Sequence, residues 1–167
     1  MLKKLTNRSL PRAGNARFII VASQYNALYV DSMLRAAQTQ LRAAGAKSVR
    51  VVRVPGAYEI PLVAARLARQ ANEVRQPAAI ICLGVILRGE TVHAAHIGEA
   101  VSSALMEIQL RYEVPVVHEV LLLENEAQAR ARCLDPKRNR GREAAQTALK
   151  MAELMGSLRG SAAGLSV

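Results

Sequence analysis

The run Arg88-Gly89-Glu90-Thr91-Val92-His93 carries the most chemistry in the chain. Imidazole is the side chain suited to moving a proton near neutral pH. Gly89 permits a tight turn, and Glu90 and Thr91 then lead into a helix. The first N–H groups of a helix seat an anion, with the Thr91 hydroxyl as a further donor. The same run also fits a plain capped helix with a surface histidine. Tyr25 can stack on a flat ring or pack between a helix and a strand. Glu59, after Pro55-Gly56, can accept hydrogen bonds from a polyol or serve as an acid at a helix N-terminus. A basic block, Arg130, Arg132, Lys137, Arg138, Arg140 and Arg142, can grip a phosphate or lie solvated. His93 and His96 are three residues apart with Glu90 and Glu99 nearby, yet there is no HExxH and no third ligand at a clear spacing. A metal is therefore not expected. His118, at the end of an apolar strand, reads as packed or at an interface.

These residues fall on turns between alternating strands and helices. Phe18–Ala22 is a continuous apolar run, as a strand covered on both faces requires. Leu28, Met33, Leu34, Ala37, Leu41 and Ala44 form one helical stripe, stopped by Gly45. Val49–Val54 is a second strand, and Ile60, Val63, Leu67 and Ala71 a second helix with Pro61 in its first turn. Ala78–Leu87 is the longest apolar run and the expected central strand. A helix over about 93–112, a strand over 114–123, and helices over about 125–133 and 141–158 follow. Strand–helix alternation of this kind predicts an α/β three-layer sandwich. Its four-stranded parallel sheet is flanked by helices on both faces, as right-handed crossovers require. Ligands bind such folds outside the carboxyl ends of the strands. The turns after the four strands, at 23–26, 55–59, 88–93 and 122–125, are expected to converge on one rim.

At 167 residues the chain suits one domain with a core of its own. Apolar residues make up 51% and aromatics only 3%, so that core must be built from Ala, Val, Leu and Ile. No apolar run approaches the length of a membrane span, and the N-terminus lacks a secretory signal. Cys82 and Cys133 read as reduced core thiols, which points to the cytoplasm. The net charge of +10 raises the possibility of a nucleic-acid partner. Yet the charge lies in a basic head (Lys3, Lys4, Arg8, Arg12, Arg17) and the 130–142 block, without interleaved aromatics or a continuous basic helix, so none is expected. No GxxxxGKS/T or GxGxxG is present to hold a nucleotide phosphate. Residues 1–16 are expected to be a flexible basic arm, 17–158 a single α/β domain, and 159–167 a flexible tail.

Three segments lie in order: Val54-Pro55-Gly56-Ala57-Tyr58-Glu59-Ile60-Pro61, Gly84-Val85-Ile86-Leu87-Arg88-Gly89-Glu90-Thr91-Val92-His93, and Glu124-Asn125-Glu126-Ala127-Gln128-Ala129 with Arg132 and Asn139-Arg140-Gly141. Together they strongly resemble the 6,7-dimethyl-8-ribityllumazine synthase family, over about residues 17–158. The resemblance implies a flavodoxin-like strand order. It implies condensation of 5-amino-6-ribitylaminouracil with 3,4-dihydroxy-2-butanone 4-phosphate through a Schiff base, with loss of phosphate and water and no cofactor. It makes His93 the proton shuttle and Arg132 the phosphate grip, helped by Glu90 and Thr91. Tyr25 would stack on the pyrimidine with Asn26 beside it. Ala57, Tyr58 and Glu59 would hold the ribityl chain, and Val85, Ile86 and Leu87 would read the pyrimidine edge through their backbones. Arg140 stands where the family usually has Lys. His118 stands where a Phe reaches into the neighbouring subunit's site. The family also often has Arg in place of Gln24, an aromatic-Asp-aromatic run in place of Ala94-Ala95-His96, and a Thr pair in place of Leu122-Leu123. These departures bear on affinity and rate more than on fold. They leave a non-catalytic flavin- or lumazine-binding paralogue as the alternative. The family builds its sites between subunits of a homopentamer. Pro11 in the arm and the glycine-poor link at 134–138 favour a pentamer or a pair of pentamers over a closed shell. The helix bearing Val101, Ala104, Leu105 and Ile108 can serve that interface or cover the sheet.

Overall fold

A computed structural model describes residues 10–69, 76–89 and 91–163, the last four of these by backbone only. Four strands, β1 (Arg17–Ser23), β2 (Ser48–Val54), β3 (Ala79–Leu87) and β4 (Val116–Leu123), form one parallel sheet in the order β2-β1-β3-β4. That is the flavodoxin-like order. Helices α1 (Ala27–Ala43) and α5 (Arg140–Ala163) cover one face. Helices α2 (Ile60–Arg69) and α3 (His93–Tyr112) cover the other. A four-residue helix, α4 (Glu126–Ala129), runs into a π-helical turn, Arg130–Leu134.

The continuous apolar runs follow from this layering. On β1, Phe18, Ile20 and Ala22 enter the α1/α5 core, while Ile19 and Val21 enter the α2/α3 core. On β3, Ile81, Leu83 and Val85 face the first layer and Ile80 and Cys82 the second. A central parallel strand has no polar face because both faces are covered. Val101, Leu105 and Ile108 of α3 are buried in the second layer, so that stripe covers the sheet.

Several boundaries differ from expectation. Helix α5 continues to Ala163, beyond the domain end expected at 158. Ala13, expected in a flexible arm, is buried, and its N–H donates to the Ala44 carbonyl at 2.8 Å. Residues 1–9 of the arm, the end of the tail (164–167), Ala71 and Glu90 lie outside the described residues. The helix expected over 125–133 is observed as α4 running into the π-helical turn, in which the Asp135 N–H donates to the Arg130 carbonyl at 3.2 Å. At the end of that turn the Cys133 carbonyl accepts from Ser32 Oγ at 2.7 Å and from Asn139 Nδ2.

Cys82 and Cys133 are both buried and unbonded to each other. Burial pushes the Cys82 thiol up to about 12. Burial, aided by the Glu119 charge, pushes Cys133 up to about 11. Such thiols pack and do not react. No helix among the described residues is long and apolar enough to cross a membrane.

Candidate functional site

The loops after β1 and β2 are stitched together by their backbones. The Gln24 N–H donates to the carbonyls of Val54 and Pro55 at 2.8 and 3.1 Å, and the Tyr25 N–H to that of Pro55 at 3.1 Å. Asn26 then ties the first loop to β3: its Nδ2 donates to the Val85 carbonyl at 2.8 Å. Asn26 is left-handed, with φ 56°, a conformation open to Asn but costly for most other residues. Asn26→Ala therefore loses the bond and strains the backbone, at an expected cost of about 2 kcal/mol in urea unfolding. Asn26→Gly should recover part of this, and equal losses in both variants would count against the strain.

The Glu59 carboxylate turns back to accept from the Gly56 N–H at 2.8 Å. A Cβ placed on Gly56 would meet Glu59 Oε2 at 2.9 Å and Tyr25 Cδ2 at 3.0 Å, so the Tyr25 ring and the Glu59 carboxylate both lie against this glycine. Ala57 is buried below them, while Tyr25 and Tyr58 remain open to solvent, 70% and 62% exposed. The Val85 carbonyl that Asn26 holds lies near the carboxyl end of β3. Ile86 and Leu87 are half-buried beside it.

Helix α3 begins at His93, with Val92 at its N-cap and no side chain capping its first N–H groups. Thr91 and His93 are both exposed at this end. These first-turn N–H groups are the ones the sequence expectation assigned to an anion. Beside it, the Arg88 N–H donates to the Leu123 carbonyl at 2.8 Å, and its guanidinium meets Glu124 at 3.0 Å, tying the loops after β3 and β4. Ser23, at the carboxyl end of β1, is fully buried, and its Oγ has no hydrogen-bond partner among the described residues.

The remaining site candidates are elsewhere. In the β3–β4 register, Leu87 pairs with Leu123 but Cys82 with His118. At ~3.3 Å per residue, His118 lies about 17 Å along the strand from the carboxyl rim. Its ring faces α3. The Val120 N–H donates to Nδ1 at 3.3 Å, so Nε2 carries the proton toward Ser102 Oγ at 2.9 Å, and that hydroxyl donates to the Gly98 carbonyl. Burial holds the His118 pKa below its ordinary value, a backbone hydrogen bond pulling the other way. On the opposite face of β4, Arg140 is drawn into an ion pair with the buried Glu119. Nε and Nη2 donate to Oε2 and Oε1 at 2.9 and 2.8 Å, while Nη1 meets Glu143 at 2.5 Å. Arg132, on the π-helical turn, is exposed and has no ion-pair partner among the described residues.

The four turns meet at the carboxyl ends of the strands, tied by the Gln24, Tyr25, Asn26 and Arg88 bonds. Tyr25, Asn26, Ala57, Tyr58, Glu59, Val85, Ile86, Leu87, Thr91 and His93 gather at the carboxyl ends of β1, β2 and β3. His118 and the Glu119–Arg140 pair stand partway along β4, several residues before its carboxyl end, and Arg132 lies on the π-helical turn that follows the strand. Sequence reasoning missed Glu119, although a single carboxylate inside the apolar strand Val116–Leu123 was the available signal. It also passed over Asn139, whose side chain caps α5 through the N–H groups of Gly141 and Arg142 at 3.0 and 3.4 Å. Among the described residues no three His, Cys, Asp or Glu side chains form a metal-binding set.

The family profile described as 6,7-dimethyl-8-ribityllumazine synthase matches residues 15–156. The chain is 40% identical over 146 residues to the 6,7-dimethyl-8-ribityllumazine synthases of Stenotrophomonas maltophilia and Xanthomonas campestris pv. campestris. Each match covers 86% of this chain and 92% of the relative. It is 39% identical, over the same shares, to the enzyme of that name from Xanthomonas euvesicatoria pv. vesicatoria.

Proposed function

Because the chain belongs to the 6,7-dimethyl-8-ribityllumazine synthase family, we propose that it is the transferase which condenses 5-amino-6-ribitylaminouracil with 3,4-dihydroxy-2-butanone 4-phosphate in riboflavin biosynthesis, releasing phosphate and water. The observation that carries the reading is the seating of Tyr25, Glu59 and His93 at the carboxyl ends of three neighbouring parallel strands. Tyr25 offers a ring face to the pyrimidine, with Asn26 holding the loop beneath it. Glu59, Ala57 and Tyr58 take the ribityl chain, and the backbone of Val85, Ile86 and Leu87 meets the pyrimidine edge. The open first turn of α3, with Thr91 and the preceding Glu90, seats the phosphate, and His93 stands beside it to move protons.

Arg132, Arg140 and His118 complete this site from a second copy of the chain. The position of His118 and Arg140 partway along β4, away from their own rim, supports a site shared between subunits. A pentamer or a pair of pentamers is the assembly proposed, and light scattering that returned a particle of about sixty subunits would refute it. Two buried unpaired thiols favour the cytoplasm. Neither nucleic acid nor membrane enters the proposal, and no observation favours the non-catalytic binder.

The condensation needs proton transfers at Schiff-base formation, phosphate loss and ring closure, and no protein nucleophile. Much of the acceleration comes from holding two reactive partners together. His93→Ala is therefore expected to slow lumazine formation by about 10²-fold while leaving it above the uncatalysed background. The check is the rate of lumazine formation from the two purified substrates. A folded, oligomeric His93→Ala protein with no activity above background contradicts this division of labour.

A further inference from the structure

We propose that Glu119 is a positioning residue: gripping two nitrogens of the Arg140 guanidinium, it fixes the plane in which Arg140 presents its remaining N–H groups to the phosphate-bearing substrate. This rests on the reading of Arg132 and Arg140 as the phosphate end of the shared site.

The geometry is specific. Glu119 is 5% exposed, and both of its oxygens point at Arg140. A guanidinium has five N–H groups; Glu119 takes two and Glu143 one, so two remain, one on each terminal nitrogen. Arg140 is also the first residue of α5, held there by the Asn139 cap. Backbone and side chain are thus anchored separately, and little rotational freedom is left to lose when a phosphate arrives. A lysine has no Nε–Nη2 fork, so the grip belongs to the arginine this chain carries.

The groups facing Glu119 are Arg140 and Glu143 from α5, and Arg132 and the Cys133 thiol from the π-helical turn. Its register neighbour on β3 is Leu83. Burial pushes the Glu119 carboxyl up to about 7; Arg140 and Arg132 pull it down, and Glu143 adds to the rise. Below that pH the protonated carboxyl, like a glutamine, keeps one oxygen able to accept and loses the two-point grip. Above it the grip is complete.

The test compares wild type with Glu119→Gln in the assembled enzyme, measuring KM for each substrate across pH. Near pH 6, about one unit below the Glu119 value, the two proteins should agree. Near pH 8, about one unit above it, the variant's KM for the butanone phosphate should be about tenfold higher, with kcat and the KM for the uracil substrate little changed. The phosphate's own titration is common to both proteins and cancels. Glu119→Asp, one methylene too short for the two-point grip, should show the same pH-dependent ratio in milder form and replaces Glu119→Gln if that variant does not fold. A pH-independent ratio, or equal effects on both substrates, overturns the positioning role. An Arg140→Ala protein with an unchanged KM for the phosphate substrate instead overturns the placement of Arg140 in the site, and the inference falls with it.

Discussion

Gly141→Ala is expected to destabilise the fold by about 3 kcal/mol or more, lowering the urea midpoint by about 1.5 M. Alanine for glycine inside a helix would ordinarily stabilise it by about 1 kcal/mol. Here the sign reverses because α1 and α5 cross at this point. A Cβ on Gly141 would fall on the Met33 carbonyl group, 2.6 Å from the Met33 Cα. The obstacle is backbone, and Met33 is itself fully buried, so neither helix can yield by a rotamer change. Displacing the start of α5 also disturbs the Asn139 cap and, through it, the bond that Asn139 makes to the Cys133 carbonyl at the end of the π-helical turn. Against a typical stability of about 5–15 kcal/mol, such a loss leaves a marginal protein. A midpoint equal to that of wild type would show that the two helices can separate at no cost.

Arg132→Ala is expected to raise KM for the butanone phosphate by about 10²-fold, the loss of a bidentate charge-assisted grip, with the KM for the uracil substrate nearly unchanged. The side chain is exposed and has no ion-pair partner among the described residues, so the unfolding free energy should stay within about 0.5 kcal/mol of wild type. Arg132→Lys should recover part of the affinity, since charge returns without the planar fork. The measurement is initial-rate kinetics with each substrate varied in turn. An unchanged KM for the phosphate substrate would remove Arg132 from the site. The two variants are complementary: one damages the scaffold that aims the basic cluster, the other the cluster alone.

The carboxyl rim was legible because its parts are local. Phe18–Ala22 and Ala79–Leu87 announce themselves by unbroken apolar character, and the turns that follow them carry Tyr25, Asn26 and His93. Glu59 was legible as a site residue, but its bond to the Gly56 N–H was not, since the sequence around it fits equally a helix N-terminal acid. The π-helical turn was illegible. Residues 130–134 have ordinary helical propensity, and the turn they form ends on a carbonyl held by Ser32, about a hundred residues earlier in the chain.

Periodicity and punctuation alone determined four strands, the helices between them, both cores' composition and the end of the sheet where the candidate residues Tyr25, Glu59 and His93 gather. These follow from short-range rules, whether a face is covered and where a backbone can turn, that each segment carries within itself. Tertiary structure alone decided that Glu119 grips Arg140, that Met33 leaves no room at Gly141, and that His118 and Arg140 stand apart from the rim holding His93. Each depends on which residues of distant segments meet, and on how far β4 runs before it reaches the rim. Those are matters of register and helix crossing, which a residue does not encode in its own neighbourhood.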